Sequence, residues 1–325
     1  MKKIRFAGLL LLAPVVLLSG CTSYVPLNFT ANWHANTADR SVGNTQESLS
    51  YTVTFEQNKN IENFSIEYET GTYTTTLRND NITLASGKSA EGYVYTTRLD
   101  IKGRFRLNGT DGETFTDYVT SEVRFLPATE GLRPVSSKKE VHTTSPLTDS
   151  PATLEVASRL YHYTFDVEYD DELLNATSKY TDLVANTAPI ETKLNIDGKH
   201  TFLDNEQILF ALRGLPLTSA FSFSTVHTVD DTIATVSGSS IEVGKETFSF
   251  TADGKEISEE ISTKRLSLQY TDSRHPGAAQ RLVYAECTNV SNNRFRNVLL
   301  KMEAPVLHSL GTMIYTLDTA QFVNK

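Results

Sequence analysis

The chain has 325 residues, of which 39% are hydrophobic, 10% aromatic and 21% charged, with 17 glycines, 10 prolines and 2 cysteines. This composition is too apolar for a disordered chain, too poor in glycine and proline for a fibrous protein, and too poor in cysteine for a disulfide-rich scaffold or a multi-cysteine metal site. The 30 basic and 39 acidic residues also argue against a nucleic-acid-binding protein, which needs concentrated positive charge.

The N-terminus has the pattern of an export signal. Lys2, Lys3 and Arg5 precede an apolar run from Phe6 to Leu18. The run has 13 residues, whereas a transmembrane helix needs roughly 20. We therefore predict that residues 1–20 are a signal peptide and not a membrane span.

The end of this run resembles the lipobox of bacterial lipoproteins. In that class, Leu18, Ser19 and Gly20 would be recognised by the lipoprotein signal peptidase, and Cys21 would be the lipid attachment site. The resemblance implies that a diacylglyceryl group is added to the Cys21 thiol and that the mature chain carries two or three palmitate-type acyl chains. An ordinary secreted protein with an incidental cysteine is the alternative.

Cleavage before Cys21 defines the expected location of the mature chain. It removes three basic residues and no acidic ones, which leaves 27 basic and 39 acidic residues and a net charge of −12. Each buried acyl CH₂ contributes about 0.8 kcal/mol, so two or more chains hold a protein durably to a membrane. We expect an exported protein that is lipid-anchored to the bacterial cell membrane, or to the outer membrane where the cell has one.

The mature chain is predicted to consist of a tether and a β-rich domain. Residues 21–48 are polar and lack periodicity, which is typical of a tether, and Trp33 is expected to dock this tether on the domain. Residues 49–325 contain Thr-, Tyr-, Val- and Phe-rich stretches with two-residue alternation, the pattern of half-buried strands. We therefore expect a mainly β fold.

The clearest strand runs from Tyr93 to Leu107, where odd-numbered apolar residues alternate with even-numbered charged residues. Residues 108–112 follow as a turn and residues 115–125 repeat the alternation, which predicts a long antiparallel hairpin. Two further hairpin-type turns are predicted at Asp197-Gly198 and Asp253-Gly254. The other predicted strands are 160–169, 192–203, 220–228, 240–251, 264–271, 281–287, 297–303 and 312–317.

A Pro- and Ser-rich stretch from Pro127 to Pro151 is the candidate linker. It could divide the chain into two tandem β domains, or it could be an excursion within one large sheet. We favour a single domain, because neither half of the chain has an obvious second helix or closing motif.

One short helix is predicted at about residues 204–214. Asp204 is the expected N-cap, Gln207 occupies the capping-box position, and Gly214 and Pro216 end the helix. Its apolar residues extend nearly all round it, so it must be buried against the sheet. A buried strand at 208–212 is the alternative, because short apolar runs are ambiguous.

The order of these elements resembles the half-barrel envelope proteins. The resemblance rests on the lipobox, the long antiparallel meander and the helix segment Asp-Asn-Glu-Gln-Ile-Leu-Phe-Ala-Leu-Arg-Gly-Leu-Pro-Leu at 204–217, and it would cover residues 49–317. This superfamily includes the Lol-type lipoprotein carriers and related uncharacterised exported proteins. It implies a curved antiparallel sheet or half-barrel around the helix, with a concave side that can accept acyl chains.

The sequence also contains residues that bear on chemistry. Ser136 and Lys139 have the Ser-x-x-Lys spacing of penicillin-interacting enzymes, but companion motifs are missing. Cys287 is expected to be a buried thiol. The acidic runs 170–172 and 230–231 are expected to be solvated turns, because they lack calcium-loop spacing. The histidines lack the local spacing of metal ligands, and they are at positions 34, 142, 162, 200, 227, 275 and 308.

These observations predict a non-enzymatic, membrane-anchored envelope lipoprotein with no catalytic residues, metal or cofactor. Its partners are expected to be the membrane, through the acyl chains on Cys21, and a hydrophobic ligand such as a lipid or another envelope protein, but no nucleic acid. A structural or adhesive surface protein without a ligand cavity is the alternative.

Overall fold

The computed structural model describes residues 27, 45–58, 64–107, 109–146, 158–198, 200–215, 220–228, 230–272, 278–286, 295–306 and 310–322. These residues form β-strands and a few short helical turns. The strands are β1 (Thr45–Gln57), β2 (Phe64–Tyr68), β3 (Gly71–Thr83), β4 (Ser89–Leu107), β5 (Thr110–Phe125), β6 (Pro134–Pro146), β7 (Ser158–Tyr169), β8 (Asn175–Asp182), β9 (Ile190–Asn195), β10 (Phe221–His227), β11 (Thr232–Ala252), β12 (Lys255–Asp272), β13 (Gln280–Ala285), β14 (Leu299–Pro305) and β15 (Gly311–Phe322). The helical elements are α1 (Ile208–Ala211) and the 3-10 turns Ala128–Glu130, Asn205–Gln207 and Leu212–Gly214.

The strands of the described residues form one 15-stranded sheet. Its order is β10-β11-β12-β13-β14-β15-β1-β3-β4-β5-β6-β7-β8-β9, with β2 paired to β4, and these neighbours are antiparallel. A short parallel contact joins β11 to β15 at Thr251 and Ala252. The mainly β prediction is confirmed, and the chain forms one large sheet instead of two separate β units.

The two ends of the sheet approach each other, which gives a barrel-like closure. Residues 201–203 follow β9 and run parallel to β10, with Phe202 opposite Ser224. The Ser224 N–H donates to the Thr201 carbonyl at 2.8 Å, and the Leu203 N–H donates to the Ser224 carbonyl at 3.0 Å. We call the side that faces the enclosed space the inner face and the opposite side the outer face.

The hairpin predicted after Tyr93 is confirmed. Tyr93, Tyr95 and Ile101 of β4 are buried on the inner face, whereas Arg98 lies exposed on the outer face. Leu107 pairs with Thr110, so β5 already begins within the predicted turn 108–112.

The two Asp-Gly sites behave differently. Asp253 and Gly254 both have positive φ and connect Ala252 to Lys255, which is the tight hairpin that the sequence predicts. The chain bends at Gly198, which has positive φ, but the hairpin prediction at Asp197-Gly198 is wrong, because β9 already ends at Asn195 and the chain next forms an isolated bridge to β10.

Strands also form where the sequence pattern is weak. Most of the candidate linker between 127 and 151 is β6, which pairs with both β5 and β7. β1 begins at Thr45, before the expected end of the tether at Ser48, and Glu47 is already buried. Both segments are polar, and their side chains find partners elsewhere in the fold.

The predicted helix is confirmed as one helical segment at 205–214, which we call the core helix. Asp204 has extended backbone angles and its Oδ1 accepts the Glu206 N–H at 2.8 Å, so it is the N-cap. The capping-box role of Gln207 is wrong, because its Nε2 donates to the Leu132 carbonyl at 2.8 Å. The strand alternative at 208–212 is also wrong.

Candidate binding surface

The core helix packs against the inner face of the sheet. The Phe210 ring lies 6.1 Å from Tyr93, 5.5 Å from Tyr95 and 5.2 Å from Phe125, measured between ring centroids. The Tyr284 hydroxyl donates to the Leu209 carbonyl at 3.0 Å. The core helix and these aromatic side chains therefore pack together on the inner face of the sheet.

A buried ion pair joins the end of the core helix to β1. The Arg213 guanidinium lies 2.7 and 2.9 Å from the two Glu47 carboxylate oxygens. Burial lowers the pKa of Arg213, but the charge of Glu47 outweighs this effect and keeps the arginine protonated. These side chains are bound to each other, so their role is to hold the helix in the sheet.

Lys264 of β12 completes the C-terminus of the core helix. Its Nζ donates to the carbonyls of Leu212, Arg213 and Leu215 at 3.3, 3.2 and 2.7 Å. The Leu212 carbonyl also accepts the Leu215 N–H at 3.3 Å. A cation is favoured at this end of a helix, where the last carbonyls lack intrahelical donors. Burial lowers the pKa of Lys264.

A second buried polar group lies at the N-terminus of the core helix. Asp204 Oδ2 accepts hydrogen bonds from Ser137 Oγ and Tyr169 Oη, both at 2.6 Å. Burial raises the pKa of Asp204. Lys139 Nζ lies 2.9 Å from Glu206 Oε1, and although burial raises the pKa of Glu206, the charge of Lys139 outweighs it and the pKa is lowered. The crevice beside these groups is too narrow to admit a water molecule.

The Ser-x-x-Lys spacing has no counterpart in space. Ser136 and Lys139 are three positions apart in β6, so their side chains point to opposite faces of the sheet. Lys139 points inward to Glu206, whereas Ser136 belongs to the outer face. The pair is not arranged for nucleophilic catalysis.

The outer face of β3 to β7 contains a shallow depression with a volume of about 430 Å³. The strand register aligns its side chains in two rows across these strands. One row is Thr74, Arg98, Thr120, Glu140 and Thr164, and the other is Thr76, Thr96, Glu122, Lys138 and Asp166. We call this set of side chains the outer depression.

Most charges of the outer depression have oppositely charged or hydrogen-bonding neighbours on the same face. Arg98 binds Asp100 with two contacts of 2.6 Å, and Glu122 binds Arg124 at 3.0 Å. Threonine hydroxyls lie between these charged groups. The surface therefore fits a polar partner with little net charge better than a strongly charged polymer.

Two histidines meet at one end of the outer depression. His142 and His162 face each other on β6 and β7, with ring centroids 5.0 Å apart, and Tyr118 stacks on His142 at 4.9 Å. Glu140 accepts from the Tyr118 hydroxyl at 2.8 Å and lies 2.9 Å from His162 Nε2, and the His162 hydrogen bond lowers the pKa of Glu140. Sequence reasoning missed this cluster, because only the register of β6 and β7 brings positions 142 and 162 together.

The acidic runs lie at turns. Asp170 accepts from the Leu174 N–H and the Asn175 amide, both at 2.8 Å. The expectation of a solvated turn is wrong for Asp230, which is buried beside His227 with 3.4 Å between the carboxylate and Nδ1. In the part of the chain that the structure describes, no group of three or more His, Cys, Asp or Glu side chains is arranged to hold a metal ion.

Several predicted residues lie outside the described ranges. They are Leu18, Ser19, Gly20, Cys21, Trp33, His34, His275, Cys287 and His308. Within the described ranges, no helix is long and apolar enough to cross a membrane.

Comparisons with known proteins add one structural neighbour. No protein-family model matches the chain, and no curated protein matches it. The chain is similar to a solved structure described as the crystal structure of a beta-barrel-like protein of domain of unknown function DUF1849 from Brucella abortus, with a TM-score of 0.45 and 11% sequence identity. The similarity covers 87% of this chain and 100% of the other.

Proposed function

We propose that this protein is a membrane-anchored envelope lipoprotein, without enzymatic activity, that binds a polar envelope component at the outer depression. The lipobox ending in Cys21 supports the anchor. The observation that carries the binding proposal is the contrast between the occupied inner face and the solvent-accessible outer depression. A concave apolar pocket of the Lol-carrier type is less well supported, because Phe210 of the core helix packs directly on Tyr95 and Phe125 of the sheet.

The polar groups of the two faces also favour the outer depression as the binding surface. Asp204, Glu206 and Lys139 are bound to protein groups on the inner face and have no room for a substrate. The hydroxyls of Thr74, Thr120 and their neighbours lie on the surface, where a partner can reach them. Hydroxyls and partly exposed charged groups can exchange hydrogen bonds with water for hydrogen bonds with a partner at modest cost.

Anchoring is tested by replacing Cys21 with Ser and separating membrane and soluble fractions of the cells. The expected result is release of the variant, because the acyl chains can no longer be attached. A Cys21→Ala chain serves as a second variant. Retention of both variants in the membrane fraction would contradict lipid anchoring.

Binding is tested by photo-crosslinking from the outer depression. A photoreactive amino acid at Thr120 is expected to capture a discrete envelope component in cells. The matched control is Thr114, which lies on the same strand and the same face of β5 but outside the outer depression. Equal crosslinking at both positions, or none at Thr120, would contradict the proposal.

A further inference from the structure

Leu27 is bound to the domain only six positions after Cys21, the predicted lipid attachment site. Its N–H donates to Thr201 Oγ1 at 2.9 Å. Its partly buried side chain packs against the hydrophobic core. The chain is therefore fixed to the domain at Leu27, well before β1 begins at Thr45.

This docking point lies at the end of the sheet where β7 finishes. Phe202, which follows Thr201, packs edge to face on Tyr169, the last residue of β7, with 5.7 Å between the ring centroids. We call this end of the sheet the anchor end. The opposite end, where β5 and β7 begin, is the far end.

Three turns of the anchor end are bound to one another. They are residues 84–88, 126–133 and 170–174, and they lie at the same end because β3, β5 and β7 run in the same direction. The Asp171 carbonyl accepts a hydrogen bond from the Arg133 guanidinium, and an Asp171 carboxylate oxygen accepts the Ser86 N–H at 3.4 Å. The anchor end is therefore one braced surface.

The link from Cys21 to Leu27 is too short for the far end to face the bilayer. Six residues span at most about 20 Å when they are fully extended. β7 has 12 residues and is about 40 Å long, and a strand tilt of about 40° still leaves a height of about 30 Å. With the far end on the bilayer, Leu27 would lie farther from Cys21 than the link can reach.

The three turns of the anchor end do not have the excess of basic residues that binds anionic lipid headgroups. Their basic residues are Lys88 and Arg133, and their acidic residues are Glu130, Asp170, Asp171 and Glu172. An anionic lipid surface does not attract such a set of charges. The short link is therefore the feature that brings the anchor end to the membrane.

We propose that the six-residue link orients the domain on the membrane, with the anchor end facing the bilayer that holds Cys21 and the far end facing away from it. This inference rests on the proposed lipid anchor. Thr164 and Asp166 of the outer depression are five and three residues before Tyr169, which is about 10 to 17 Å along β7. The polar component that binds there is therefore expected close to the bilayer surface.

Fluorescence quenching from the bilayer surface tests this orientation. The lipidated chain with Cys287→Ser is purified from membranes and reconstituted into phosphatidylcholine vesicles that contain a lipid with a quencher on its headgroup. One dye is attached either at Glu172→Cys, in the anchor end, or at Glu113→Cys, near the start of β5 at the far end. Both glutamates are exposed. We expect most of the emission to be lost at position 172 and little at position 113.

The length of the link provides a second test. A flexible Gly/Ser insertion of about 20 residues between Tyr24 and Val25 should reduce the difference between the two dyes, because the longer link no longer fixes the anchor end. The matched control has the same insertion between Ala38 and Asp39, after the docking point, and should keep the difference. Thermal unfolding checks that each variant is folded. Equal quenching at the two positions, stronger quenching at position 113, or an equal effect of the two insertions would overturn the proposal.

Vesicle flotation and the mass of the purified chain separate this inference from the anchor. A lipidated chain that floats with the vesicles, but is quenched equally at both positions, would overturn the orientation and leave the anchor intact. A chain whose mass shows no acyl groups and that does not float would contradict the anchor, and the orientation with it. The Cys21→Ser chain is expected to stay unbound and unquenched at both positions. Quenching of this chain at position 172 alone would contradict the link as the cause of the orientation.

Discussion

The inner and outer faces of the sheet contain the same kinds of charged residues in opposite situations. Arg213 and Glu47 form a fully buried ion pair on the inner side, whereas Arg98 and Asp100 form a half-exposed pair on the outer face. Removing one partner of the buried pair is costly, because the other charge is then left desolvated and unpaired. Removing one partner of the exposed pair costs little, because water solvates the remaining charge. The inner charges therefore stabilise the fold, whereas the outer charges are available to a partner.

The largest expected effect comes from breaking the inner pair. Arg213→Leu leaves the Glu47 carboxylate buried without its cation and should lower the free energy of unfolding by about 3–5 kcal/mol. Replacing Arg98 by Leu should change it by less than about 1 kcal/mol. Chemical denaturation measures the free energy of unfolding of both variants. Equal losses of unfolding free energy would contradict the different roles of the two faces.

Replacing the adjacent lysines of β6, Lys138 and Lys139, is expected to have a smaller effect on stability. Lys139→Ala removes the partner of Glu206 and should cost about 2–3 kcal/mol, whereas Lys138→Ala on the outer face should cost less than about 0.5 kcal/mol. Because the pKa of Glu206 is lowered in the folded protein, its stabilising contribution is present at neutral pH and is lost as the pH falls through that pKa. Equal stability of the two variants at pH 7 would contradict these assignments.

Asp117 is an inner-face carboxyl whose charged form is poorly stabilised. Its Oδ1 accepts the Thr144 N–H at 2.8 Å, and burial raises its pKa to about 6. Since the unfolded pKa is lower, stability falls as the pH rises from about 4 to 6 and stays reduced above it. Asp117→Asn should therefore stabilise the protein by about 1–2 kcal/mol at pH 7, and unfolding at pH 4 and pH 7 measures this. A stability gain that is the same at both pH values would contradict the raised pKa.

Local patterns predicted the parts of the fold whose signals are local. The alternation in β4, the Asp253-Gly254 turn and the N-cap at Asp204 each depend on residues close in sequence. β6 escaped prediction because Ser137 and Lys139 occupy inner positions that an apolar pattern would fill. Their partners lie 67 positions away, in the core helix.

The candidate surfaces depend even more on the strand register. The rows of the outer depression combine side chains from several strands, and no single strand contains a recognisable motif. The pairing of His142 with His162 has the same origin. The buried position of Glu47 depends on Arg213, which is 166 residues away. Sequence patterns of one chain do not contain this information.

Native mass spectrometry of the mature chain tests most directly whether the interior is filled. The chain should contain Cys21→Ser, so that no acyl anchor retains lipid. An interior occupied by the core helix predicts the mass of the protein alone. A reproducible additional mass that extracts into organic solvent as a lipid would contradict this and would restore the carrier function.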